Sequence, residues 1–248
     1  AQGFKSIRRA SSSAIPDIYD PAFIQADTNL SETAVGLATT RSGRICLYGP
    51  PGTGKTAYGR WLAEQLDAPL LTKRASDLIS MWVGETEQNI AKAFRLAERE
   101  GAILLIDEVD SFLQDRRGAN RSWEVTQVNE MLTQMESYSG VFLASTNLMS
   151  GLDQAALRRF DLKVKFDYLA PQQAVELFRR YCTVLGIEVC HATTLETISR
   201  MGHLTPGDFA AVARRVRFSP LTSDTAFALA LETECRLKED SRKAIGFL

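Results

Sequence analysis

The sequence predicts an α/β protein: a parallel sheet with helices on both faces, followed by a small all-helical segment. Three observations predict it. The apolar run Ile45-Cys46-Leu47-Tyr48 leads into Gly49-Pro50-Pro51-Gly52-Thr53-Gly54-Lys55-Thr56 and then into a helical pattern. Short apolar runs alternate with helical patterns as far as Phe166, which is the order of a parallel sheet covered on both faces. Beyond Pro171 the periodic stretches are all helical.

Taken in order, residues 1–20 carry Lys5, Arg8, Arg9, Ser11-Ser12-Ser13 and Pro16. They read as an N-terminal arm or linker, either loosely held or packed across a neighbouring subunit. Asn29-Leu30-Ser31 matches a glycosylation sequon, but nothing else points to secretion. The first strand is 44–48, and the helix after the glycine-rich turn runs from Thr56 to about Leu66. A second strand starts at Pro69-Leu70-Leu71-Thr72. A short helical turn and a loop over Leu78 to Gly84 follow, then a helix from Thr86 to Glu98 with Ile90, Ala93, Phe94 and Ala97 on one face. Ala102 to Ile106 is almost wholly apolar, as a central parallel strand should be. Ser122 to Met135 is helical, 140–146 is a fourth strand, and Lys163 to Phe166 is a fifth, at an edge. Helices are then expected over 172–184, 192–201, 206–216 and 222–238. Pro206 sits in a first turn, where its missing N–H costs little. The expected division is an arm over 1–20, an α/β domain over 21–168 and a helical domain over 169–248.

Composition excludes several classes. The 248 residues carry 29 basic and 30 acidic side chains, so bulk electrostatics give no reason to expect nucleic acid as a partner. No run of 18 apolar residues exists, so no membrane span is expected. Cys46, Cys182, Cys190 and Cys235 form no CxxC pair; Cys46 reads as a buried strand thiol, and a reducing, cytoplasmic setting fits. With only His191 and His203, a zinc site has little to build on. The chain begins with Ala1 rather than Met, which leaves a preceding domain open.

The chemistry lies in three places. Gly49 to Thr56 meets the pattern GxxxxGK[ST] between a strand and a helix, a Walker A phosphate loop. Its glycines let backbone N–H groups turn inward toward a polyphosphate, and the following helix adds its positive end. Lys55 should reach the β and γ phosphates and Thr56 should hold Mg²⁺. Asp107 ends the third strand, where a Walker B carboxylate orients Mg²⁺. Glu108, one residue on, is the natural base for activating a water. That adjacent acidic pair favours hydrolysis over kinase chemistry. Asp110 is either a cap or a further functional charge. Asn147 ends the next strand, where its amide can orient the attacking water or sense the γ phosphate.

Together these motifs resemble the AAA+ ATPases, and within them the AAA group of protein-remodelling and unfolding motors. The likeness covers roughly 20–248. It includes Gly49 to Thr56, Ile106-Asp107-Glu108-Val109-Asp110, Val128 to Met135, Asn147 and Leu157-Arg158-Arg159-Phe160-Asp161. The resemblance implies ATP and Mg²⁺ as cofactors and a homo-oligomeric ring, usually a hexamer, with Arg158 and Arg159 reaching a neighbour's γ phosphate. Which arginine does more is open. Met81-Trp82-Val83-Gly84-Glu85 resembles a pore loop that presents Trp82 and Val83 to a protein or peptide substrate; the alternative is a buried core tryptophan. Arg116 to Arg121 resembles a second, polar pore loop. Gly202 to Asp208 resembles the lid turn beside the adenine, which would bring His203 and Gly207 to the nucleotide, although Pro206-Gly207-Asp208 departs from the usual Gly-Ala-Asp. Arg214 and Arg215 are candidates for a lid arginine by distance only. The leading function is ATP hydrolysis coupled to protein remodelling, with an adaptor possible. The alternatives are a nucleic-acid loader ATPase and a scaffold ring assembled by nucleotide.

Overall fold

The computed structural model describes residues 19–82, 84–113, 122–188 and 191–245. After a short 3₁₀ turn at Pro21–Phe23 come β1 (Gln25–Ala26), α1 (Leu30–Thr40), β2 (Gly43–Tyr48), α2 (Lys55–Gln65), β3 (Leu70–Arg74), α3 (Ala75–Leu78), α4 (Glu85–Glu100) and β4 (Ile103–Asp107). There follow α5 (Ser122–Ser137), β5 (Val141–Thr146), α6 (Gln154–Arg159), β6 (Leu162–Asp167), α7 (Pro171–Leu185), α8 (Ala192–Arg200), α9 (Pro206–Arg215) and α10 (Asp224–Ile245).

The six strands form one sheet in the order β1-β6-β2-β5-β4-β3. All pairings are parallel except β1 with β6. Strands β4 and β5 lie inside and read as continuous apolar runs: Ile103 to Ile106 and all of Val141 to Thr146 are buried. The sequence expectation placed Lys163 to Phe166 at an edge. Instead β6 sits between β2 and the two-residue β1, with Gln25 opposite Asp167 and Ala26 opposite Phe166. A two-residue strand is too short to leave a hydrophobic alternation, so the sequence offered no sign of it.

Helices cover the two faces with separate apolar clusters. One holds Ile90, Phe94, Phe112, Met131, Met135, Phe142 and Phe160. The other holds Leu30, Leu37, Tyr58, Leu62, Val141, Val164 and Phe166. Helix α1 was not anticipated. Asn29 caps it by accepting from Ser31 N at 3.1 Å and Glu32 N at 3.2 Å, which satisfies two of the four orphan donors of the first turn. The supposed sequon is therefore a helix cap.

The α7–α10 segment has its own core: Leu177, Phe178, Tyr181, Phe209, Phe227 and Leu231. Its rings stack, Phe178 on Phe227 at 5.0 Å and Tyr181 on Phe209 at 5.6 Å. Phe23 joins this helical cluster, while its neighbour Ile24 joins the α/β cluster. Residues 20–26 thus form a strap between the two. Gln173 Nε2 donates to Ala22 O at 3.1 Å and Ile24 O at 3.2 Å, and Arg180 pairs with Asp20 at 3.2 Å. Asp20, the last residue of the expected arm, is held by that ion pair. Cys46 and Cys182 are buried, and burial pushes both thiols up to about 12. Among the described residues no helix is long and apolar enough to cross a membrane.

Candidate functional site

The carboxyl ends of β2, β4 and β5 converge on one cleft of about 370 Å³. The phosphate loop, Asp107, Glu108, Asn147 and the start of α9 line it. Two glycine positions decide the loop's shape. Gly49 has φ +137°, and a Cβ there would lie 2.0 Å from Phe166 O. Gly52 has φ +79°, and its carbonyl accepts from Gly207 N at 2.9 Å. A Cβ on Gly207 would meet Gly52 Cα at 2.9 Å. The start of α9 therefore touches the loop backbone to backbone, an approach only glycine permits. Thr53 steadies the loop through Oγ1 to Pro50 O at 2.8 Å, and Gly54, φ +99°, opens α2.

Lys55 is 7% exposed. Its ammonium donates to Gly49 O and Pro50 O, both at 2.8 Å, and to Asn147 Oδ1 at 2.9 Å. Burial lowers its pKa to about 8, and Asp107 pulls the other way. Thr56 Oγ1 donates to Asp107 Oδ2 at 3.0 Å, while Ser145 Oγ donates to Asp107 Oδ1. The sequence reading missed Ser145, which lay inside a run read only as apolar strand. Glu108 follows with φ 60° and ψ 43°, a left-handed conformation that a non-glycine residue seldom adopts. That turn breaks the strand's alternation and sets Glu108, itself exposed, on the cleft wall beside Asp107. Asp110 does not line the cleft; it accepts from Thr146 Oγ1 at 2.8 Å, tying β5 to the turn after β4.

The hydroxyl and carboxylate of Thr56 and Asp107 are hard oxygen donors, which suit Mg²⁺. Among the described residues no cluster of His, Cys, Asp and Glu resembles an all-protein metal cage. Mg²⁺ does not require one, because it keeps waters and takes phosphate oxygens.

Other expected residues lie elsewhere. His203 does not line the cleft; its ring meets Tyr168 edge-on at 4.9 Å, and its carbonyl accepts from Lys238 at 2.9 Å. Arg214 and Arg215 also stay outside, and Arg215 pairs with Glu234 at 2.8 Å. Tyr19, Arg60 and Tyr181 line the cleft and were not anticipated. Arg60 was findable, since it lies one helical turn beyond Thr56.

Arg158 and Arg159 end α6, away from this chain's own cleft. Arg159 is held by Glu136 at 2.6 Å and by Ala155 O at 2.9 Å. Arg158 is exposed. Trp82 is 73% exposed and Met81 is 96% exposed, which removes the buried-core alternative for Trp82. Gly84, φ +82°, opens α4 directly after this loop. Val83 and the stretch from Arg116 to Arg121 lie outside the described residues.

A sequence model of the family described as "ATPase family associated with various cellular activities (AAA)" matches residues 45–168. The chain is 32% identical over 194 residues to Protein SUPPRESSOR OF K(+) TRANSPORT GROWTH DEFECT 1 of Arabidopsis thaliana, covering 73% of this chain and 44% of that protein. It is 31% identical over 202 residues to spastin of Drosophila melanogaster, covering 77% of this chain and 26% of that protein. Among solved structures it is similar to the FIGL-1 AAA domain, with TM-score 0.60 and 25% identity over 76% of this chain and 70% of that one. The chain spans less than half the length of these two curated relatives.

The exposure of Trp82 makes a direct forecast. Trp82→Ala should change unfolding free energy by less than about 1 kcal/mol, whereas a buried tryptophan would cost about 3–5 kcal/mol. Denaturant titration distinguishes the two, and a loss in the larger range would contradict the exposed placement.

Proposed function

The chain belongs to the AAA family of ATPases, and we propose that it is a magnesium-dependent ATPase whose turnover drives the remodelling, unfolding or disassembly of protein substrates. One observation carries the reading. Lys55, Thr56, Asp107, Glu108 and Asn147 meet in a single cleft, whereas Arg158 and Arg159 lie outside it. That separation fits a site completed by a neighbouring copy in a ring, of hexameric order by resemblance.

The roles follow from chemistry. The loop N–H groups and Lys55 bind the β and γ phosphates. Thr56 and Asp107 would hold Mg²⁺, which would supply positive charge against the phosphates. Ser145 orients Asp107. Glu108 accepts the proton of the attacking water, and Asn147 fixes that water's position or the γ phosphate. Arg158 of a neighbour supplies a fixed fork of donors to the transferring group. Arg159, anchored to Glu136, steadies the end of α6. Trp82 and Val83 grip polypeptide in the channel through contact area. Residues 21–168 act as the nucleotide-binding domain and 169–248 as a lid, with the backbone contact between Gly52 and Gly207 as the point at which the lid senses the loop.

Glu108→Gln should bind ATP with near-wild-type affinity and hydrolyse it about 10²–10⁴-fold more slowly. Equilibrium titration and steady-state phosphate release check this; near-normal turnover would reject Glu108 as the base.

Lys55 sets a pH dependence. Its free-state pKa is lowered to about 8, while phosphate in contact favours the ammonium. Above pH 8 binding therefore takes up a proton, and affinity falls by up to about tenfold per pH unit. Without nucleotide the sign reverses. The unfolded chain binds more protons than the folded one above pH 8, so Lys55 contributes stability that rises with pH. Calorimetry at pH 8.5 in buffers of different ionisation enthalpy should show proton uptake on ATP binding. A buffer-independent heat would contradict it.

A further inference from the structure

The stretch of chain that carries Arg158 is fastened just beyond it. Arg159 Nε donates to Glu136, at the end of α5, at 2.6 Å, and its Nη1 donates to Ala155 O at 2.9 Å. Phe160 turns into the core, 3% exposed, and its ring stacks on Phe142 at 6.2 Å between centroids. Asp161 is clasped to Arg44 through backbone and side chain together. Its carboxylate accepts from Arg44 N at 2.8 Å, Nε at 3.1 Å and Nη2 at 3.0 Å, and its own N–H donates to Arg44 O at 2.8 Å.

An isolated exposed ion pair contributes little, because two long side chains must be held in one geometry. This clasp differs. The guanidinium meets the carboxylate as a fork, and the backbone bonds fix the two residues that carry those groups. Arg44 and Asp161 stand immediately before Ile45 and Leu162, the first paired residues of β2 and β6. The clasp therefore fixes where the chain leaving α6 enters the sheet. Its two ion pairs are also joined electrically: Asp161 raises the pKa of Arg44, and the charge of Glu136 acts in the same direction. Glu136 thus acts on both Arg44 and Arg159. Arg44, Glu136, Arg159 and Asp161 form one network across the ends of α5 and α6 and the starts of β2 and β6. None of them lines this chain's own cleft. What stands directly beside the network is Arg158, exposed at the end of α6.

We propose that Arg44 and Asp161 are positioning residues that, with Glu136 and Arg159, hold the end of α6 so that Arg158 meets the nucleotide of a neighbouring copy. The inference rests on the reading of Arg158 as acting in trans. It divides the two arginines by role: Arg159 is engaged within its own chain, and Arg158 is presented outward. A long exposed side chain samples many positions, and a fixed backbone beneath it narrows where its fork of donors can reach. Misplacing an aligned group by about 1 Å costs up to about 10²-fold in rate. Loss of the clasp should therefore slow hydrolysis in the neighbour's cleft and spare the cleft of the altered subunit.

The test compares Arg44→Ala, Asp161→Ala and the double variant. Each should bind ATP within twofold of the wild-type affinity and melt within about 4 °C of it. Each should lose about ten- to hundredfold in kcat. The double variant should be no worse than either single one, because all three remove the same clasp. Arg44→Ala subunits are then mixed with Lys55→Ala subunits, whose phosphate loop is broken and whose Arg158 is intact. The rate per Arg44→Ala subunit should rise, because its sound cleft now lies beside a well-placed Arg158. A merely structural fault would stay with its own cleft, and no neighbour would repair it. Arg158→Ala mixed with Lys55→Ala is the control. If the control regains activity while Arg44→Ala keeps its kcat, loses ATP affinity in parallel with kcat, or gains nothing from Lys55→Ala subunits, the positioning role is overturned and the trans reading stands. If mixed rings form and the control stays inactive, the trans reading fails and the role of the clasp falls with it.

Discussion

A buried ammonium organises this molecule. Lys55 is almost wholly removed from solvent and is bonded to two loop carbonyls and to Asn147 at the end of β5. Taking a charge out of water is unfavourable unless hydrogen bonds and counter-charge replace hydration. The loop must curl for its carbonyls to reach Nζ, and β2 and β5 must be adjacent and parallel for Asn147 to arrive there. Burial pulls the pKa of Lys55 down against the opposing charge of Asp107, as expected of an ammonium taken out of water.

Around that charge the fold joins the apolar core of the helical segment to the core on one face of the sheet. Gly52 and Gly207 touch backbone to backbone, and residues 20–26 cross from one core to the other. Asp208 makes the helical side of this contact firm. It accepts from Thr205 N and Oγ1, each at 2.8 Å, and from Lys238 on α10. A side chain at Gly207 would force the α9 turn off the loop.

Much of the sheet and most of the residues that meet in the cleft were legible in the sequence, for a physical reason. Central parallel strands read as unbroken apolar runs, and their carboxyl ends are where polar residues must appear. Asp107, Glu108 and Asn147 are therefore conspicuous beside Ile106 and Thr146. What escaped has equally physical causes. Asn29 capping α1 was hidden by a competing motif, although Glu32 three residues later spelled out a helix start. Tyr19 and Tyr181 come to the cleft through contacts between distant segments, which no local pattern records. Ser145 points its hydroxyl at Asp107 from within a strand that reads as core. His203 was placed by likeness to a lid turn that this chain alters, and Pro206-Gly207 brings backbone to the cleft in its stead.

The central claim is that the hydrolytic site is divided between copies of the chain, with Arg158 acting on a neighbour's nucleotide. Mixing tests it most directly. Subunits carrying Arg158→Ala are combined with subunits carrying Lys55→Ala, neither of which hydrolyses ATP appreciably alone, and ATPase rate is followed against mixing ratio while mixed assembly is verified by sedimentation. The account predicts that activity returns, with a maximum at intermediate ratios, because some rings place an intact cleft beside an intact Arg158. Mixed rings that form and remain inactive at every ratio would contradict it.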